Sequence, residues 1–426
     1  MIKSIILAAG KGTRMKSDIP KVLHKIFDKA LVEYVIEAVN KTGYVDENFV
    51  IVGHQAERVE EFVNNTFSNV RTVLQSPQLG TGHAVSMVLP YLENFDGEII
   101  ILCGDTPLVS EKTLKDFIDS HKSKGSDLTV MSAMFDNPTN YGRIIRNSDG
   151  SLNSIVEEKD ASEQQKCIKE VNAGIYCLNW SRIKPAFNQL QSNNAQGEYY
   201  LTDIIKWANE QALKVDAYIL KDNDEIFGIN SKSHLAEATK MLNEKIIKMH
   251  LENGVTIVDP ATTWISSETE IEADTVIYPS CYITGKNKIG RNCKIGPFAH
   301  LRGDVILEDN VKIGNFVEVK KTTVKANTNA CHLSYLGDSE IGSNVNIGAG
   351  TITANYNPLT KIKSKTVIGD KVKIGSNSVL VAPVEINEGA NVAALSVVTK
   401  NIPAWALAIT RPPLKVLENW VNKFKN

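Results

Sequence analysis

No apolar run in this chain approaches the roughly 18 residues that cross a bilayer, so nothing in it reads as a membrane span. Charge of either sign is not in excess: 47 Lys and Arg stand against 49 Asp and Glu. With a pI near 6.5, there is no electrostatic reason to expect a nucleic-acid or membrane partner. The six cysteines contain no CxxC spacing, which argues against a metal knuckle. The opening apolar stretch, Ile5-Ile6-Leu7-Ala8-Ala9, is too short for a signal-peptide core and runs directly into a glycine loop. These absences predict a cytoplasmic protein, and 426 residues are enough for two or three domains with sizeable cores.

What is present is a column of branched aliphatics six residues apart. Ile271, Ile277, Ile283, Ile289, Ile295, Leu301, Leu307, Ile313 and Val319 follow one another without a miss. With about a quarter of residues Ile, Leu or Val, chance gives such a run on the order of once in 10⁵–10⁶. Six matches neither the 3.6 period of a helix nor the 2 of a strand. It is the period of a left-handed parallel β-helix built from hexapeptide repeats, each repeat forming one side of a triangular coil. The column continues through Val324, Ala330, Leu336, Ile341 and Ile347 in steps of five or six, breaks over 353–367, and resumes at Ile368. Small or apolar residues trail the column by four places, Cys281 and Cys293 among them, and so read as corner packing rather than metal ligands. The break, carrying Asn355, Tyr356, Lys361, Lys363 and Lys365, reads as a loop extruded from the rod to reach a ligand. Rods of this class often transfer acyl groups and usually trimerise, with sites between neighbouring copies.

Residues 1–230 alternate aliphatic strands (Ser4–Leu7, Phe49–Val52, Glu98–Leu102, Leu128–Met131, Gly174–Leu178) with amphipathic stretches such as Leu31–Asn40 and Val59–Asn64. That alternation predicts a Rossmann-like α/β domain with a mainly parallel sheet. Residues 231–254 read as a helical linker ending at Gly254. Residues 255–426 comprise the β-helix, to about 402, and a tail whose segment Leu414–Phe424 looks amphipathic.

The first strand enters Ala8-Ala9-Gly10-Lys11-Gly12-Thr13-Arg14-Met15, with Pro20-Lys21 following. Glycines let backbone N–H groups approach an anion, and Arg14 and Lys21 add positive charge. The spacing is neither a Walker A loop nor the dinucleotide fingerprint. Taken alone, a strand followed by a glycine turn is as often structural. Together with Leu79-Gly80-Thr81-Gly82-His83-Ala84, Gly104-Asp105-Thr106-Pro107-Leu108, Tyr141-Gly142-Arg143-Ile144, the run from Ile155 to Asp160 and the run from Gln196 to Asp203, it resembles the sugar-1-phosphate nucleotidylyltransferases. Joined to a hexapeptide rod, the pattern is similar to the family of bifunctional uridylyltransferase/acetyltransferases of UDP-N-acetylglucosamine synthesis, from Ile5 to Arg411.

That resemblance implies two reactions and two sets of residues. In the first domain, Leu7, Ala8, Ala9, Gly10, Arg14, Lys21, Gln75, Gly80, Thr81, Cys103 and Gly104 would surround UTP, with Gln75 on uracil. Gly142, Glu157 and Asn172 would hold N-acetylglucosamine-1-phosphate, and Asp105 and Asn230 would ligate Mg²⁺. Read without the family, Asp105 is a turn residue before Pro107 and Asn230 a helix N-cap. In the rod, His332 would be the proton acceptor; Arg302, Lys320, Tyr335, Asn346, Asn355 and Lys361 would grip glucosamine-1-phosphate. Ala349, Asn355, Tyr356, Ser376, Ala394 and Arg411 would contact acetyl-CoA. A homotrimer is implied, with no nucleic-acid or membrane partner. Three departures from the family pattern stand out: Gly303-Asp304, which sets a carboxylate beside Arg302, Cys331 before the histidine, and Leu395 where glycine is usual. Two other readings remain open on sequence: nucleotidyl transfer alone on a structural rod, and a scaffold with both sites decayed.

Overall fold

The computed structural model describes residues 1–424; Lys425 and Asn426, the end of the tail, lie outside the described residues. The chain forms two compact units that divide between Met241 and Leu242, within a helix of 21 residues, Lys232–Glu252.

The first unit is built on a nine-stranded sheet. Its strands are β1 (Ile2–Leu7), β2 (Val45–Val52), β3 (Val70–Leu74), β4 (Glu98–Cys103), β5 (Leu128–Met134), β6 (Arg143–Arg146), β7 (Leu152–Val156), β8 (Glu170–Asn179) and β9 (Val215–Ile219). They lie in the order β9-β5-β8-β4-β1-β2-β3, with β6 paired to β8 and β7. Strands β1, β2, β3 and β4 are parallel, as the βα alternation predicts. β8 is an exception within this mainly parallel sheet, running antiparallel to both β4 and β5. A strand buried on both faces is one continuous apolar run, which carries no mark of direction. Two apolar layers cover the sheet, one holding Val35, Ile36, Phe117 and Ile118, the other Val85, Trp180, Ile204 and Ile205. The parallel strands bring their C-terminal ends, Leu7, Val52 and Cys103, side by side, where a crevice forms.

The second unit is the left-handed parallel β-helix. One wall runs through Trp264, Tyr282, His300, Glu318, Tyr335, Ile352, Val379 and Val397, each hydrogen-bonded to the coil before. Coils are therefore 18 residues long, shorten to 17 twice, and lengthen to 27 where the loop is extruded. The column Ile271–Val319 points inward throughout, and so do Cys281 and Cys293. Each such side chain contributes about 1.5–3 kcal/mol by leaving water. Asn243 pins the helix to the first coil, donating to the Thr263 carbonyl at 2.8 Å and accepting from the Ile265 N–H at 3.0 Å. Leu414–Phe424 makes no α-helix, only a 3₁₀ turn at Val421–Phe424, and its apolar side chains stay exposed. Among the described residues its apolar side chains meet no core that would hold a helix in place.

The coils turn through residues in the left-handed region. Asp274, Ser280, Asn292, Phe298, Asp304, Asn310 and Phe316 all have positive φ, at spacings of six or twelve. The spacing falls to five at Lys321 and again at Asp338, which shortens those coils. Asn and Asp tolerate this conformation, whereas Phe298, Phe316, Leu333 and Leu395 do not do so readily. Leu395, at φ 63°, is 61% exposed and gains little packing in return. Leu395→Gly is expected to raise stability by roughly 0.5–1 kcal/mol, the relief of left-handed strain less glycine's entropy. A thermal melt in which the variant unfolds at or below the parent temperature would contradict this.

Candidate active sites

In the first unit the loop after β1 is stitched into the strand ends. The Ala8 N–H donates to Ile51 O (2.9 Å), His54 N–H to Ala9 O (3.2 Å) and Gly104 N–H to Leu7 O (2.9 Å). A Cβ on Gly10 would meet nothing within 4 Å, so that backbone is open to a ligand. Gly12 has a different task. Its φ of 58° and the 2.7 Å approach of Lys21 Cβ to a Cβ built there make glycine necessary for Lys21 to pack over the loop. Arg14 stands exposed on the 3₁₀ turn Thr13–Met15.

Lys21 is the hinge of the site. Its ammonium pairs with the Asp105 carboxylate and donates to Asn230 Oδ1 at 3.2 Å. The Ile229 N–H donates to Asp105 O at 2.9 Å, tying the two loops together. Asn230 does not cap the following helix: Ser231 does, its Oγ accepting from the His234 N–H at 3.2 Å. That leaves the Asn230 carboxamide facing the crevice. Asp105 is likewise more than a turn residue. Two hard oxygens already share one cation, so this donor set suits Mg²⁺.

Gln75 is buried and oriented, its Nε2 donating to Gly80 O at 2.9 Å and lying 3.1 Å from His83 Nδ1. Burial lowers the His83 pKa, which favours a neutral ring whose Nδ1 accepts that bond. The Gly80 turn is stitched to the run Glu198–Leu201. Tyr199 N–H donates to Leu79 O (2.8 Å), Gly82 N–H to Tyr199 O (2.8 Å), and Leu201 N–H to Thr81 Oγ1 (3.1 Å). Opposite, Gly142, Glu157 and Asn172 come together. Asn172 N–H donates to Gly142 O at 2.8 Å, and a Cβ on Gly142 would lie 3.4 Å from Glu157 Oε2. Burial raises the Glu157 pKa, opposed by the Thr202 hydroxyl, which donates to it at 3.2 Å. Burial first, then Asp105, pushes the Cys103 thiol up to about 12, so it is no nucleophile.

In the rod, one corner collects the residues expected of an acyl-transfer site. His332 is exposed and precedes the left-handed residue Leu333. Gly350 N–H donates to His332 O (3.4 Å), Asn377 N–H to Ala349 O (2.7 Å) and Leu395 N–H to Ser376 O (2.8 Å). His332, Ala349, Ser376 and Ala394 therefore stack on successive coils, a column of about 14 Å at strand spacing. Arg411 Nη1 closes it, donating to Ala394 O at 2.7 Å. Around the corner, Arg302 and Lys320 occupy matching positions one coil apart. A Cβ on Gly337 would fall 2.3 Å from the Tyr335 hydroxyl, so its absence lets the ring lie across that coil. Asn355 Nδ2 reaches Tyr335 Oη at 3.4 Å and pairs with Asp338.

The carboxylate beside Arg302 is Glu318, at 2.6 Å, and not Asp304. The corner at Gly303-Asp304 turns through two left-handed residues, which takes Asp304 off that wall. Lys363, which the sequence marked only as part of the loop, faces Lys320. Desolvation first, then Lys363 and Arg302, lowers the Lys320 pKa, and Asp338 opposes them, as expected where several cations gather. The bridge Tyr356–Lys363 folds the extruded loop back on itself. Lys361 sits exposed at the loop's turn with φ 58°. Asn346 projects from a different wall, in register with Asn329 and Lys373, separated from Tyr335 by a corner.

The fold and these two clusters define a two-part transferase. The nucleotidyl transferase family matches residues 3–264, and the bacterial transferase hexapeptide family matches 288–321 and 365–400. The chain is 43% identical to the bifunctional protein GlmU of Geobacillus thermodenitrificans over 455 aligned positions, covering 99% of this chain and 98% of that protein. It is 44% identical to the GlmU of Thermoanaerobacter pseudethanolicus and 42% to that of Clostridioides difficile, each over 99% of this chain and 97% of the relative. The chain belongs to the bifunctional GlmU family. Among the described residues, no helix is long and apolar enough to cross a membrane.

Proposed function

We propose that residues 255–426 transfer acetyl from acetyl-CoA to glucosamine-1-phosphate and that residues 1–230 join the product to UTP, giving UDP-N-acetylglucosamine for envelope glycans. What carries this reading is the column His332–Ala349–Ser376–Ala394, an extended track ending at a proton acceptor. Acetyl-CoA would lie along it, with Arg411 and Tyr356 at its sides. Arg302, Lys320 and Tyr335 would take the sugar phosphate; Lys363 adds a charge to that set, with Asn355 and Lys361 beside it. The sugar amine attacks the thioester carbonyl, His332 accepts its proton, the C–N bond forms and the C–S bond breaks, and His332 passes the proton to the departing thiolate, so that CoA leaves as thiol.

In the first unit, the sugar phosphate oxygen attacks the α-phosphorus of UTP and pyrophosphate departs. Gly10 and its neighbours, Gly80 and Thr81 would embrace the nucleotide, Gln75 would read uracil, and Gly142, Glu157 and Asn172 would fix the sugar. Arg14 and Lys21 would offset the gathering negative charge. Mg²⁺ held by Asp105 and Asn230 would supply further neutralisation.

We also read the rod as a homotrimer. The stacked, exposed pair Phe298 and Phe316, with ring centroids 5.1 Å apart, supports this. So does Asn346, which would meet the same sugar as Tyr335 only if a second copy set its wall alongside. Substrates such as UTP and acetyl-CoA, together with six free cysteines, suit the cytoplasm. The test is thiol release from acetyl-CoA, with and without glucosamine-1-phosphate, on protein whose mass is read by sedimentation. Sugar-dependent release from a species of three chains is expected. No release, with pyrophosphate still formed from UTP and N-acetylglucosamine-1-phosphate, would leave a uridylyltransferase on a structural rod, the reading that Leu395 favours.

A further inference from the structure

Among the described residues, one group of metal-ligating side chains stands apart from both sites. Glu98 opens β4, Cys177 lies near the end of β8, and His121 lies in the last turn of the helix Glu111–Lys124. The register shows why they meet. Cys177 is paired across to Thr129 on one side and Ile100 on the other, and Asn179 to Glu98. Residues two apart share a face, so Glu98, Cys177 and Thr129 rise from the same side of the sheet. His121 comes down on them from the helix. One carboxylate oxygen of Glu98, one ring nitrogen of His121 and Cys177 Sγ all lie within 4.8 Å of one another.

We propose that Glu98, His121 and Cys177 form a binding site for Zn²⁺, with water as fourth ligand. The donor set is mixed oxygen, nitrogen and sulfur, which suits zinc and excludes the all-oxygen preference of magnesium. Tetrahedral zinc, with bonds of about 2.0–2.3 Å, sets the oxygen and nitrogen about 3.3 Å apart and the sulfur about 3.5 Å from each, so no pair needs to move by more than about 1.3 Å. His121 Nε2 already lies 3.0 Å from Glu98 Oε2, and its other nitrogen, Nδ1, is anchored 2.8 Å from Thr129 Oγ1. An oriented ring of this kind is what a metal-bound histidine needs from its surroundings. His121 is 1% exposed and Cys177 0%, while the Glu98 side chain retains 23%, an opening for water. Thiolate and carboxylate together cancel the charge of the ion, so burial is not opposed by a net charge. On binding, zinc takes the place of the thiol proton, which leaves to solvent.

Glu98 and Cys103 are the two ends of β4, about 17 Å apart, so the metal clamps helix to sheet and takes no part in nucleotidyl transfer. The test uses full-length protein stripped with chelator and titrated with Zn²⁺ or Co²⁺ alone. One equivalent is expected to bind, Co²⁺ showing a thiolate-to-metal charge-transfer band, with a raised melting temperature. Asp105 and Asn230 offer no sulfur and cannot give that band. Cys177→Ser should remove the band and weaken Zn²⁺ binding at least tenfold; Cys167→Ser, at the exposed thiol, should change neither. Glu98→Gln, whose side chain is partly exposed, is a second variant should Cys177→Ser fail to fold, and is expected to weaken binding likewise. A missing band, a band lost with Cys167 instead, or full affinity in Glu98→Gln would overturn the site.

Discussion

His332→Ala should lower sugar-dependent thiol release from acetyl-CoA by about 10²–10⁴-fold, the usual contribution of a positioned general base. Pyrophosphate release from UTP in the same sample should be unchanged. The side chain is exposed, so its removal empties no core. Its main-chain carbonyl, which accepts from Ser334 Oγ at 2.8 Å and from the Gly350 N–H, survives the substitution. The coil should therefore keep its register, and the loss should lie in the chemical step with little change in the KM for acetyl-CoA. That split matters, because the column Ala349–Ser376–Ala394 would still hold the donor. Full thiol release in the variant would remove His332 from the reaction. Loss of both activities in a folded variant would contradict two independent sites.

Asp105→Ala is the mirror experiment. Its carboxylate pairs with Lys21, and its main-chain carbonyl holds Ile229 beside Asn230. The substitution removes the charged partner of Lys21 and one of two oxygens proposed for Mg²⁺, while the backbone bond remains. A loss on the order of 10³-fold in pyrophosphate release is expected, the scale seen when a preorganised electrostatic group is removed. Thiol release should be untouched. Excess Mg²⁺ should restore only part of the loss, because Asn230 alone remains to bind the ion. A variant within tenfold of the parent would take Asp105 out of the metal site.

Much of this architecture could be read from residues in order. The six-residue column was legible because burial repeats once per wall, and inward aliphatics are what that repeat demands. The corners were not. Phe298, Phe316, Leu333 and Leu395 occupy left-handed positions that propensity assigns to Gly, Asn or Asp. The direction of β8 was hidden because its apolar run, Ile175–Leu178, is buried on both faces. In the candidate sites, adjacency within a motif carried over well: Gly104-Asp105 and Leu7–Gly10 share one crevice because they end neighbouring strands. Contacts between distant segments did not. Lys361 and Lys363 are indistinguishable in sequence, and only the folded loop shows that Lys363 faces Lys320. The meeting of Glu98, His121 and Cys177 depends on strand order, which no local pattern states.

The coils of the rod touch only their neighbours, and that makes the second unit one-dimensional in its cooperativity. Perturbation spreads along the stack as in a zipper, and the terminal turns open most often. His332 sits several coils from either end, whereas Ala394 and Arg411 lie where the stack runs out at Leu407–Ala408. The proposed base is thus held by the part of the stack least given to fraying, while the far end of the proposed donor track can breathe. On the proposed reading, donor entry and release would be tuned at the last coils without loosening the group that moves the proton.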